Sequence, residues 1–176
     1  MAPTSSRVAA GSRSTRPTAD GWLRGWHVAL VGVGAGLVGL FLGLATDDGW
    51  SVTVNSVDFN AADRIQAENQ FNEPAPAESR YALVNLSVTN NSAEPGDPLF
   101  TIIIGIIGSQ NRMWDGANAF CSAVIPEDMN IAGELFPSGS FTGNECRVVP
   151  EAEVADGSRL IAVSSLLGDP VLVRTS

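Results

Sequence analysis

Side chains able to make and break bonds are few in this chain, and their spacing is poor for catalysis. There is one histidine, His27, beside Trp26 at the head of an apolar run, and there are two cysteines, Cys121 and Cys146, with no His or Lys next to either. Ser-His-Asp and Cys-His nucleophiles, blue-copper centres and imidazole zinc sites all need a histidine within reach. The part of the chain after residue 45 has none, so no enzyme and no cofactor are expected. Carboxylate pairs remain: Asp47 with Asp48, Glu127 with Asp128, and Glu151 with Glu153. Two acids across a sugar could hydrolyse a glycoside, and Glu127, Asp128 and Glu134, or Glu94 and Asp97, could offer hard oxygen ligands to Ca²⁺. These acids fall in apparent loops, without EF-hand spacing or an aromatic cleft, and solvated loop charge is the simpler reading. A Ca-dependent or acid-pair carbohydrate-active domain is kept as the lesser alternative.

Gly34, Gly36 and Gly39 also stand in G-x-G-x-x-G spacing, with Asp58 downstream where a ribose-binding acid would be wanted. A helix opening at those glycines would have no polar face, and no second βαβ pattern follows, so a dinucleotide site is not expected. The same glycines form G-x-x-x-G pairs, Gly32 with Gly36 and Gly39 with Gly43, which let two membrane helices approach closely. They are candidate helix-helix contacts for self-association.

The element carrying those glycines decides the organisation of the chain. Trp26 to Ala45 reads WHVALVGVGAGLVGLFLGLA, uncharged from Val28 onward. As a helix it would span roughly 30 Å, the thickness of a bilayer core. Arg7, Arg13, Arg16 and Arg24 precede it against the single acid Asp20, whereas eighteen of the nineteen acids follow it with only six Arg. The positive-inside rule then predicts a cytoplasmic N-terminus and an extracytoplasmic body. The expected division is a disordered tail over 1–21, a transmembrane helix or uncleaved signal anchor over 22–46, and an exported domain over 47–176. A secreted protein after signal cleavage, with Gly43, Leu44 and Ala45 as the exit, is the alternative. The formal net charge of −9 excludes nucleic acid as a partner class.

From Trp50 the apolar period is two. Trp50, Val52 and Val54 alternate with polar residues, then the phase slips to Val57 and Phe59, which predicts a bulge near Asn55 and Ser56. Ala82, Val84, Leu86 and Val88 mark a clean strand, and LFTIIIGIIG reads as a fully buried one that ends in a turn over Gly108 to Asn111. Cys121 to Ile125, Ser140 to Val149, Leu160 to Leu166 and Val171 to Arg174 complete the expected strands, and Ala61 to Phe71 could supply a turn or two of helix. The fold class expected is all-β, an immunoglobulin-like β-sandwich preceded by one transmembrane helix. Most aromatics of the body alternate with polar residues and are expected in the core. Trp114 and Asp115, after the turn, are the candidate interaction surface.

The segments NEPAPAESRYALVNLSVTNNS, Leu135 to Ser140 running into Gly143-Asn144-Glu145-Cys146, Val148-Val149-Pro150 and the late Asp169-Pro170-Val171 carry a resemblance. Together they resemble the telokin-like, immunoglobulin-like extracellular domains of high-GC bacteria, which belong with the secreted immunoprotective antigen superfamily. The resemblance spans most of 47–176 and implies an Ig-like sandwich behind an anchor or signal, with no catalytic residues to carry over. Arg147 departs from it, standing where an aromatic or apolar residue is more usual. The resemblance also places Cys121 and Cys146 on adjacent strands. In an oxidising compartment a structural disulfide between them is expected, ahead of a redox or metal pair. The function expected is a membrane-anchored extracytoplasmic binding or structural module. Its partners would be the cell membrane and an envelope protein or polymer. An accessory or sensor subunit of a membrane complex is the alternative.

Overall fold

The computed structural model describes residues 42–45, 49–155, 160–166 and 168–174. Two four-stranded antiparallel sheets pack face to face. The first has the order β1-β2-β3-β6 (Leu42–Ala45, Trp50–Asp58, Ser79–Asn90, Ser140–Pro150) and the second β5-β4-β7-β8 (Met113–Trp114, Ile102–Ile107, Leu160–Ser165, Val171–Arg174). Among the described residues three short α-helices connect strands: α1 (Ala62–Glu68), α2 (Pro98–Thr101) and α3 (Glu151–Val154). A 3₁₀ turn covers Met129–Ile131. The all-β sandwich expected from the period-two pattern is therefore what forms.

Period two puts Val52 and Val54 of β2, with Val84, Leu86 and Val88 of β3, on one face of the first sheet. There they meet Ile104 and Ile106 of β4 and Ile161 and Val163 of β7 in the main core. Each such side chain contributes about 1.5–3 kcal/mol when buried. The register of β2 on β3 skips between Val54 and Ser56, so Asn55 is the bulged residue that the phase slip announces. Its amide donates to Asn85 Oδ1 at 2.8 Å and Ser87 Oγ at 2.9 Å.

The opposite face of β3 is not wholly polar. Tyr81 and Leu83 are buried there under Ile65 of α1, together with Ile125 and Cys146, in a second small core. One inward residue on a seven-residue helix suffices to cover that end of the sheet. In β4, Gly105 is required by packing, because a Cβ would stand 2.6 Å from Met113 Cγ on the strand folded back beside it.

Two boundaries move relative to the sequence reading. Leu42–Ala45, assigned there to the end of the 22–46 span, form β1 and pair with β2, Leu42 opposite Val54 and Ala45 opposite Ser51. Hydropathy alone does not separate the last turn of an apolar helix from a short apolar edge strand; the Asp-Asp-Gly that follows is the turn signal that favours the strand. Gly49, at φ +79°, occupies the left-handed conformation that leads into β2. Gly43 therefore lies in a sheet, opposite Thr53. The tail, the rest of the apolar run, and Gly32, Gly36 and Gly39 lie outside the described residues. Among the described residues no helix is long and apolar enough to cross a membrane.

The second correction concerns Cys121 to Ile125, expected as a strand and found as an open arc. Its ends are fixed to β6: Val148 N–H donates to Ala119 O at 3.0 Å and Asn144 N–H to Glu127 O at 2.7 Å. The arc thus advances eight residues, from Ala119 to Glu127, while β6 covers four, from Val148 to Asn144. At about 3.3 Å per residue an extended chain would overshoot twofold, so the arc must bow away. Asn72 holds the bow from outside, exchanging two hydrogen bonds with the backbone of Val124, and the Cys121–Cys146 disulfide ties it to β6.

Candidate functional site

The bowed arc leaves a cavity of about 410 Å³ on one open side of the sandwich. Three elements frame it. β6 is the edge strand of the first sheet, and β4 pairs with β5 only at Ile106 and Ile107, so both sheets present unladdered backbone here. The arc, anchored at Ala119 and Glu127, supplies the outer wall through Phe120, Cys121, Ala123 and Ile125. Leu99, Ile102 and Ile103 supply the wall from α2 and β4.

The polar floor comes from β6. Glu145 and Arg147 stand opposite Val84 and Ala82, on the face of β6 that looks toward the core. A guanidinium there must have every donor engaged. Arg147 Nε and Nη2 donate to Ile104 O at 3.1 and 2.8 Å, Nη1 donates to Cys146 O at 2.8 Å, and Nη2 also meets Glu145 Oε2. Arg147 thus clamps the open edge of β4 to β6, and is 9% exposed.

Burial pushes the Glu145 carboxyl above the ordinary glutamate range; Arg147 opposes this and the charge of Asp128 adds to it. A carboxyl raised in the folded state gives stability that is complete below its unfolded value and is lost as pH rises through the folded value. We therefore expect the urea midpoint of the wild type, measured against Glu145→Gln, to fall as pH rises from the ordinary glutamate value past the raised one. A gap that stays constant across that window would show that Glu145 titrates normally.

Asp128 and Asp115 complete the lining. Asp128 Oδ1 accepts from Asn130 N at 2.9 Å, capping the 3₁₀ turn, and Asp115 Oδ1 accepts from Ala117 N at 2.9 Å. Three carboxylates and one guanidinium therefore line the cavity. Such a chamber can receive an apolar group and a positive charge.

Of the residues expected as an interaction surface, Asp115 lines this cavity and Trp114 does not. Trp114 is half-buried against the main core, with the Arg112 guanidinium 4.3 Å from its ring centroid. Among the described residues the exposed aromatics are others, Phe71, Phe100, Phe120 and Phe136, against the expectation that most aromatics lie in the core. The acid pairs diverge. Glu151 is exposed and lies 3.6 Å from Arg80, whereas Glu153 is buried and accepts from Gln110 N at 3.1 Å across the turn after β4. Glu127 is exposed at the end of the arc. Glu94 is exposed, and Asp97 caps α2 through Leu99 N at 2.9 Å. Asp47 and Asp48 lie outside the described residues. Among the described residues, no three His, Cys, Asp or Glu side chains converge as metal ligands would.

The Cys121–Cys146 disulfide is present, with Cα atoms 5.7 Å apart, and both half-cystines border the cavity. Sequence reasoning missed the Glu145–Arg147 pair as a site feature. The available signal was parity: Phe141, Gly143, Glu145, Arg147 and Val149 alternate in the inward phase of β6, so two charges had to be buried together or not at all.

No protein-family model matches the chain, and no curated protein matches it. Two solved structures are similar in fold. One is a conserved hypothetical protein from Bacillus anthracis, 13% identical, covering 76% of this chain and 94% of that one with a TM-score of 0.47. The other is an uncharacterized β-sandwich protein from Clostridium difficile, 10% identical, covering 80% and 92% with a TM-score of 0.48.

Proposed function

We propose that this chain is a non-catalytic binding module, tethered to the membrane by its apolar N-terminal segment and displaying an immunoglobulin-like, telokin-like sandwich on the extracytoplasmic side. The observation that carries the reading is the cavity between β4, β6 and the arc. It is walled by apolar side chains, floored by a buried ion pair, and edged by Phe120, which is 73% exposed. Soluble proteins seldom leave large apolar side chains uncovered beside a concave surface unless something covers them in use. The charge partition along the chain and the uncharged run before β1 support the location. The disulfide supports it too, since such bonds persist where the surroundings oxidise.

The test is photo-crosslinking in intact cells, with a photoreactive residue replacing Phe120 in one full-length variant and Arg174, exposed on the far edge strand β8, in another. The expected result is a discrete adduct from position 120 alone. Equal labelling at both positions, or none at either, would overturn the binding reading. A C-terminal reporter active only inside the cell would overturn the location.

A further inference from the structure

Exposed large hydrophobic side chains are concentrated in one stretch of the chain. Of the eight among the described residues, six fall between Leu99 and Phe136: Leu99 and Phe100 on α2, Phe120 and Val124 on the arc, Ile131 in the 3₁₀ turn, and Phe136. The Gly96–Leu135 bridge joins the segment before α2 to the one after the 3₁₀ turn, and of the six side chains Leu99 and Phe120 line the cavity. The same stretch is acidic. From Glu94 to Phe136 it holds Glu94, Asp97, Asp115, Glu127, Asp128 and Glu134 against Arg112 alone, and Arg112 is engaged over the Trp114 ring. Complementarity therefore selects the occupant. A second copy would bring the same excess of acids, and an anionic bilayer would be repelled for the same reason. What fits is a positive charge carried on an apolar scaffold.

We propose that this surface docks a cationic amphipathic segment of another envelope protein, its apolar side chains covering Phe120 and Leu99 and one Lys or Arg side chain entering the cavity toward Asp115, Asp128 and Glu145. The inference rests on the binding-module reading and adds the chemistry of the partner. Asp115 and Asp128 each commit one oxygen to a backbone N–H and keep a second oxygen for the visitor. Glu145 would be shared between Arg147 and the visitor. An apolar anchor in a pocket with charges at its rim is the usual way an amphipathic segment is held.

The experiment uses the full chain in zwitterionic nanodiscs, with empty nanodiscs as the blank, and three labelled peptides of equal length built from Leu and Lys, Leu and Glu, or Ser and Lys. Binding is read by anisotropy at low and high salt. The Leu/Lys peptide should bind best and lose affinity with salt. The double variant Asp115→Asn, Asp128→Asn keeps both capping oxygens and should weaken it about two- to fivefold per charge removed. Phe120→Ser should weaken it roughly tenfold. Equal binding of the Leu/Lys and Leu/Glu peptides would overturn the cation assignment, and equal binding of the Ser/Lys peptide would reduce the effect to diffuse charge. No binding above the blank, or dimerisation of the protein that Phe120→Ser abolishes, would overturn the proposal. The adduct at position 120 in cells would still report separately on the broader reading.

Discussion

Replacing Arg147 with Ala should cost about 3–5 kcal/mol of folding free energy, among the largest effects of any single change in this chain. The size follows from what the guanidinium leaves behind. Glu145 would keep its place on the inward face of β6 with no counter-charge, and Ile104 O and Cys146 O would lose their donors. A domain of this size holds on the order of 5–15 kcal/mol in total, so the variant should melt tens of degrees lower or fail to fold. The double change Glu145→Leu with Arg147→Met separates the causes. It removes both charges and keeps apolar volume, leaving mainly the two carbonyls unmet at about 1–3 kcal/mol each. The double variant should therefore be more stable than Arg147→Ala alone, which urea unfolding of the two proteins side by side would decide. If the single variant proves the more stable, the ion pair is not what clamps β4 to β6.

The same pair shows where the sequence is a sufficient guide and where it is not. Strand identity in β2 and β3 follows from alternation and in β4 from a short run apolar on both parities, and even the bulge at Asn55 is written in a phase slip, because these features depend only on neighbours along the chain. Residues 121–125 have equally good strand composition, yet they bow outward, because their shape is set by anchors at Val148 and Asn144 that no local pattern contains. Most aromatics of the body are expected inside because they alternate with polar residues, yet Phe100 and Phe120 are exposed. The sheet faces are filled mainly by Val and Ile, α2 buries Pro98, and the arc packs Cys121, Ala123 and Ile125 on the second core, so the Phe100 and Phe120 rings remain outside. Asp115 was reached from the turn before it, whereas Trp114, its neighbour, points into packing under Arg112. The cavity, being a product of three distant segments, was legible only as an anomaly: two charges in the inward phase of an otherwise apolar strand.

Opening the Cys121–Cys146 bond should be the other large effect, and it should act on the cavity as well as on stability. The bond closes a 25-residue loop, and restoring that freedom to the unfolded chain lowers folding free energy by about 3 kcal/mol in the chain-entropy account. Cys146 is also buried in the second core with Ile65 and Ile125, so Ala at both positions is a better probe than Ser, which would add a buried hydroxyl. The Cys121→Ala, Cys146→Ala protein and the reduced wild type should unfold at similarly lowered urea concentrations. Agreement between them assigns the loss to the cross-link, while a much weaker Ala variant would assign it to packing. The arc would still be held at Ala119, Val124 and Glu127, so it should loosen without detaching. Faster amide exchange is expected over residues 120–126, with β3 and β7 scarcely changed after correction for global stability. Unaltered exchange in the arc after reduction would mean that Asn72 and the two backbone bonds hold the cavity wall by themselves.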